Sequence, residues 1–138
     1  MENLDEKKEG FLDRAKMLYL KKAQEIAGEE SKLRKLLRNV AEKLDRLAHH
    51  PKVQAVIEPV KIFKRMIQAH MNGSHKVSAK SLVLMVLGLV YFLSPIDVIP
   101  DFLPGLGFTD DLSVILAVYH AVKHEVEDFL AWEKQAMK

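Results

Sequence analysis

Apolar residues along this chain recur at steps of three and four, the repeat of a helix rather than the alternation of a strand. Phe11, Leu12, Ala15, Leu18, Tyr19, Ala23 and Ile26 predict a first helix over 11–27, with Gly28 as its stop. Ser31 is placed to cap a second helix, whose Leu33, Leu37, Val40, Leu44 and Leu47 are spaced 4, 3, 4 and 3. A seam of that kind packs against another helix at a shallow angle, so the two predict a helical hairpin. His49-His50-Pro51 ends the second helix, because the residue before a proline avoids the α region. Val53, Val56, Val60, Phe63, Ile67 and His70 trace a third helix. Pro59 either kinks it or begins its main part, and Asn72-Gly73-Ser74 closes it.

Ser78 is placed to cap a fourth helix that runs to about Leu93. Leu82 to Leu93 is apolar on every side, which marks a buried helix. A last helix is predicted to start at Asp110 or Asp111 and to run to the end of the chain. Its apolar face is Leu112, Ile115, Leu116, Tyr119, Val122, Val126, Phe129 and Leu130. No segment reads as a strand. The pattern predicts an all-α, single-domain bundle of about five helices over residues 1–138, with the fourth helix at its centre. Residues 8–72 form its N-terminal helical part.

The stretch from Ser94 to Asp111, SPIDVIPDFLPGLGFTDD, separates the last two helices. It holds three of the five prolines, two of the six glycines and four aspartates. A structural reading accounts for these residues. Ser94, Pro95 and Asp97 have the order of a helix start, Pro100 ends a single turn, and Pro104, Gly105 and Gly107 shape the return. Asp110 and Asp111 then favour the positive end of the last helix. A second reading is a divalent-cation site, since Asp97, Asp101, Asp110 and Asp111 supply the carboxylate oxygens that Mg²⁺, Mn²⁺ or Ca²⁺ prefer. The spacing matches neither an EF-hand nor HExxH. His120 and His124 share a helix face at i, i+4, yet lie about 14 Å or more along the helix from Asp111.

Tyr91 to Ile115 resembles the signature of the YkvA-like family, the domain of unknown function 1232. That signature is a hydrophobic helix, then S/C-P-x-D-x-I-P-D-x-x-P, then G-x-x-D-D and another helix. Pro95, Asp97, Ile99, Pro100, Asp101, Pro104, Gly107, Asp110 and Asp111 match it, within a family-like core of about residues 78–116. The resemblance implies a protein with no agreed biochemical activity and members often assigned to membranes. It transfers no catalytic role to any aspartate here.

Charge changes the picture more than composition does. The net charge is +2 over 138 residues, but residues 32–80 carry 12 basic and 3 acidic side chains between two acidic ends. Such a basic middle either binds an anionic partner or pairs with the acidic ends inside the fold. Arg34, Lys35, Arg38, Lys61, Lys64 and Arg65 are the candidate residues for an anionic partner. Anionic lipid is one such partner, at about 1 kcal/mol per charge near the surface. Nucleic acid is disfavoured, because no helix-turn-helix pattern or aromatic platform accompanies the charge.

The absence of cysteine excludes disulfides, thiolate metal sites and cysteine nucleophiles. The polar start MENLDEKKEG is not a secretory signal, and no run reaches the roughly 18 apolar residues of a spanning helix. A re-entrant hairpin would carry the four aspartates inward at about 2.5–3.5 kcal/mol each. These features predict a cytoplasmic, soluble protein with a buried fourth helix, with a shallow contact at an anionic membrane as the alternative to it. No phosphate loop and no nucleophile–base arrangement is present, which leans against an enzyme. The reading reached is a non-catalytic helical interaction module. It takes a protein partner, a second copy of itself or an anionic membrane surface. The alternative is a divalent-metal protein or metal-dependent enzyme built on the aspartates.

Overall fold

The computed structural model describes residues 17–93 and 108–137. All the regular structure among the described residues is helical, as the periodicity predicts. The helices are α1 over 17–27, α2 Glu30–Leu47, α3 Gln54–Asn72, α4 Ala79–Leu93, α5 Phe108–Ala121 and α6 Lys123–Ala136. A single 3-10 turn, Pro51–Val53, joins α2 to α3.

The fourth helix is the packing centre. α4 packs against α2, α3 and α5. Leu82, Met85, Val86, Leu89, Val90, Tyr91 and Phe92 are all buried. The chain itself covers this face, so neither a second copy nor lipid is needed there. Val83, Leu84, Leu87 and Leu93 remain half-exposed at its edge. Gly88 marks the closest approach: a Cβ built there would lie 3.3 Å from the Phe63 ring of α3 and 3.9 Å from Val118 Cβ of α5. A larger residue at this point would push α3 and α5 off α4.

α3 packs on α2, α4, α5 and α6, which is why its burial exceeds one stripe. Val56, Ile57, Val60, Ile62, Phe63, Met66, Ile67 and Ala69 all face inward. Pro59 lies inside this helix, five residues after its start, so the helix runs through the proline rather than starting there. The carbonyl left without its N–H partner belongs to Ala55, an exposed residue, and water can satisfy it. Gly73 ends the helix in the left-handed region at φ 78°, with Gly73 N donating to His70 O and Ser74 N to Ala69 O.

Three boundaries depart from the predicted ones. α2 begins at Glu30 with Glu29 as its cap residue, so Ser31 lies within the first turn and does not cap it. Glu29 and Glu30 supply the acidic charge that the positive end favours. The last helix begins at Phe108, not at an aspartate, and breaks at Val122 (φ −104°, ψ 19°) into α5 and α6. Hydrogen bonds from Val122 N to Val118 O and from Val126 N to Val122 O carry the backbone across the break, and the local residues do not explain it. Within α5, Val118 is buried and Leu116 is 42% exposed, so the apolar face is rotated from the expected one.

Candidate functional site

The Asp/Pro stretch divides across the described boundary. Asp97 and Asp101 lie outside the described residues, as do Ser94, Pro95, Pro100, Pro104, Gly105 and Gly107. Asp110 and Asp111 stand in the first turn of α5, and their side chains are outside the described residues. No group of three or more His, Asp or Glu among the described residues is arranged to hold a metal ion. His120 and His124 are exposed and fall on opposite sides of the Val122 break, His120 on α5 and His124 on α6.

The helix that enters this stretch is held at its C-terminal end. Lys43 of α2 reaches across, its Nζ donating to Phe92 O at 2.6 Å and Leu93 O at 3.3 Å. The same ammonium lies 5.3 Å from the centre of the Phe92 ring. The last carbonyls of a helix have no partner within it and carry partial negative charge, so a cation there is doubly favoured. Tyr19 of α1 packs on Tyr91 with ring centres 4.3 Å apart. At the other end of α4, Ser78 Oγ accepts from Ser81 N at 3.2 Å, the predicted cap. Glu125 of α6 accepts from Ser78 Oγ at 3.2 Å and from Ser81 Oγ at 2.6 Å, through Oε1 in both. Its Oε2 is buried without a hydrogen-bond partner among the described residues.

The six candidate cations do not form one patch. Arg34 and Arg38 of α2 line a groove with Lys64, Gln68, Met71 and Asn72 of α3. This pairing places the start of α2 beside the end of α3, as in an antiparallel hairpin. Lys35 points elsewhere, into a depression shared with Lys22, Lys32, Lys43 and Arg46 and with the carboxylates Glu25 and Glu42. Lys61 is exposed on the outer face of α3. Arg65 is committed to the fold: Nε and Nη2 grip both oxygens of Glu133 at 3.0 and 3.2 Å, tying α3 to α6.

Pairing with the acidic ends is therefore partial. Arg34 bonds Glu30 one turn earlier, and Lys32 pairs with Glu29 at 2.9 Å. The hydrogen bond from Lys32 to Glu29, and then that carboxylate's charge, raise the Lys32 pKa above its ordinary value. Arg38 and Lys64 make no ion pair among the described residues. Gln68 and Asn72 were not among the sequence candidates. The signal for them was the spacing Lys64, Gln68, Asn72 at i, i+4, i+8, one polar side chain per turn on the same wall.

Comparison with known proteins places the chain. The family described as "Protein of unknown function (DUF1232)" matches residues 81–117, which run from α4 through the Asp/Pro stretch into α5. The "Uncharacterized membrane protein YkvA" of Bacillus subtilis (strain 168) is 32% identical over 80 residues. That match covers 57% of this chain and 76% of the relative. No solved structure matches this chain. No helix among the described residues is long and apolar enough to cross a membrane. The signature, the helices on either side of it and the extended likeness to the Bacillus protein agree: this chain belongs to the YkvA-like DUF1232 family.

Proposed function

We propose that this protein is a non-catalytic helical module that attaches peripherally to an anionic membrane surface through the outer sides of α2 and α3. The observation that carries the proposal is the fate of the basic middle. Its apolar seam, Leu33, Leu36, Leu37, Val40 and Leu44, is buried against α3 and α4. Lys35, Arg38, Arg46 and Lys61 remain exposed, and none of them makes an ion pair among the described residues. The printed name of the Bacillus relative, a membrane protein, supports the same location. A peripheral contact agrees with the name and with the described helices, none of which is both long and apolar enough to cross a membrane.

Three such cations meeting anionic lipid give about 3 kcal/mol, on the order of a hundredfold in affinity. The attraction is screened, with a Debye length of about 10 Å at 0.1 M salt and about 3 Å at 1 M. The test is co-sedimentation of detergent-free protein with anionic and neutral vesicles at low and high salt. The expected result is binding to anionic vesicles alone, lost at high salt. Salt-resistant binding to both would replace the peripheral contact with apolar insertion. Binding to neither would remove the membrane from the proposal.

A further inference from the structure

The groove between α2 and α3 gathers charged and amide side chains from both helices around a shared hollow. Its volume is about 510 Å³, within the roughly 300–1,000 Å³ usual for small-molecule sites. One wall carries Arg34 and Arg38, a turn apart on α2. The other carries Lys64, Gln68 and Asn72, on successive turns of α3. Leu37, Ala41 and Met71 line the groove between them. Glu30 stands at one end, bonded to Arg34 and steadying that guanidinium.

Two of the three cations, Arg38 and Lys64, face the groove from opposite walls without a carboxylate partner among the described residues. A guanidinium presents a planar fork that binds phosphate oxygens in pairs, whereas an ammonium acts as a point charge. Two unpaired charges are neutralised by a dianionic phosphate monoester and only half used by a diester. The amide N–H groups of Gln68 and Asn72 add uncharged donors to the same wall.

We infer that the α2/α3 groove is a binding site for a phosphomonoester headgroup presented by a membrane lipid, with Arg38 and Lys64 gripping the phosphate. The inference rests on the membrane reading above and names the ligand of that surface. A lipid is the source because the groove is open to the outside between α2 and α3, and one of its cations, Arg38, belongs to the exposed set proposed to face a bilayer. Lys35 and Lys61 lie off the groove and contribute only shared, screened attraction.

Two vesicle preparations of equal zeta potential test it, one of phosphatidylcholine with phosphatidic acid and one of phosphatidylcholine with phosphatidylglycerol. The wild-type chain is expected to bind the phosphatidic acid vesicles roughly tenfold more tightly, the scale of one extra charge-assisted contact. Arg38→Gln and Lys64→Gln abolish that preference. Lys35→Gln and Lys61→Gln weaken binding to both preparations alike, by about fivefold each. Both altered side chains of the groove leave the apolar seam untouched, and unchanged thermal melting confirms an intact fold. Equal wild-type binding to the two preparations, or a preference that survives Arg38→Gln and Lys64→Gln, overturns the groove site while leaving the electrostatic attachment standing. Binding to neither overturns both. Glycerol 3-phosphate binding as tightly as the vesicles, by titration calorimetry, overturns the lipid as the source.

Discussion

Replacing Lys43 with Met tests whether α2 holds the end of α4. Methionine keeps the apolar stem length and removes the charge and all three donors. The native ammonium donates to two carbonyls, at 2.6 and 3.3 Å, and faces the Phe92 ring. A charge-assisted hydrogen bond contributes about 1.5–3 kcal/mol, and the shorter of these two fits that class. The 3.3 Å contact, the helix-end charge effect of about 0.3–1 kcal/mol and the ring contact of about 0.5–1 kcal/mol share the same cation. They cannot simply be added.

The expected loss for Lys43→Met is therefore about 2–4 kcal/mol. For a chain of this length it lowers Tm by roughly 6–15 °C. Urea unfolding gives the free energy directly, and Lys35→Met is the control. Lys35 is exposed and makes no hydrogen bond or ion pair among the described residues, so its replacement should change stability by less than about 0.5 kcal/mol. Native-state hydrogen exchange provides a local readout, with the amides from Leu89 to Leu93 opening faster in Lys43→Met. A Lys43→Met protein that unfolds within about 0.5 kcal/mol of the native one, at unchanged m value, would refute this account of the helix end.

Ser81→Ala removes the 2.6 Å donor to Glu125, whose other oxygen already lacks a partner among the described residues, and should cost about 1–3 kcal/mol by urea unfolding. Gly88→Val forces branched carbons against Phe63 and Val118 and should destabilise by at least about 2 kcal/mol, measured by calorimetry. On the non-catalytic reading, Mg²⁺, Mn²⁺ and Ca²⁺ leave the native Tm unchanged, and Asp97→Asn lowers Tm equally with and without them. A divalent-dependent rise seen in the native chain and absent from Asp97→Asn would instead assign the aspartates to a cation.

The helices were legible because burial on one stripe leaves a period in the residues. Leu33, Val40 and Leu44 needed only that period to be placed in the core. The limits are as instructive. Leu36 and Val118 are buried because a second helix covers a neighbouring stripe, and no single-helix period marks them. The start at Glu30 rather than Ser31 reflects competition between two adequate ends, where an acidic first turn suffices. The break at Val122 has no glycine or proline to announce it. Charge was visible along the chain, but pairing was not: Arg65 and Glu133 are 68 residues apart, and only packing of α6 on α3 brings them together. Lys43 is one of the 12 basic residues between 32 and 80, and nothing in its own neighbourhood points to target carbonyls 49 and 50 residues away.

One helix thus has two faces with separable tasks. The inward residues of α2, with Lys43 at their edge, position the end of α4 from which the family signature departs. Its outward residues, Arg34 and Arg38, line the groove with α3. The family match at residues 81–117 does not include α2. The Bacillus likeness spans 80 residues and so extends well beyond that match. If the inner face serves only the fold, Lys43→Met lowers Tm and, at a temperature where it remains folded, keeps the preference for phosphatidic acid. If the outer face serves only the partner, Arg38→Gln erases the preference and leaves Tm within about 1 °C, as expected for an exposed side chain with no ion pair among the described residues. Loss of the preference in folded Lys43→Met would show instead that the groove depends on how α4 ends, and that the two faces of α2 form one site.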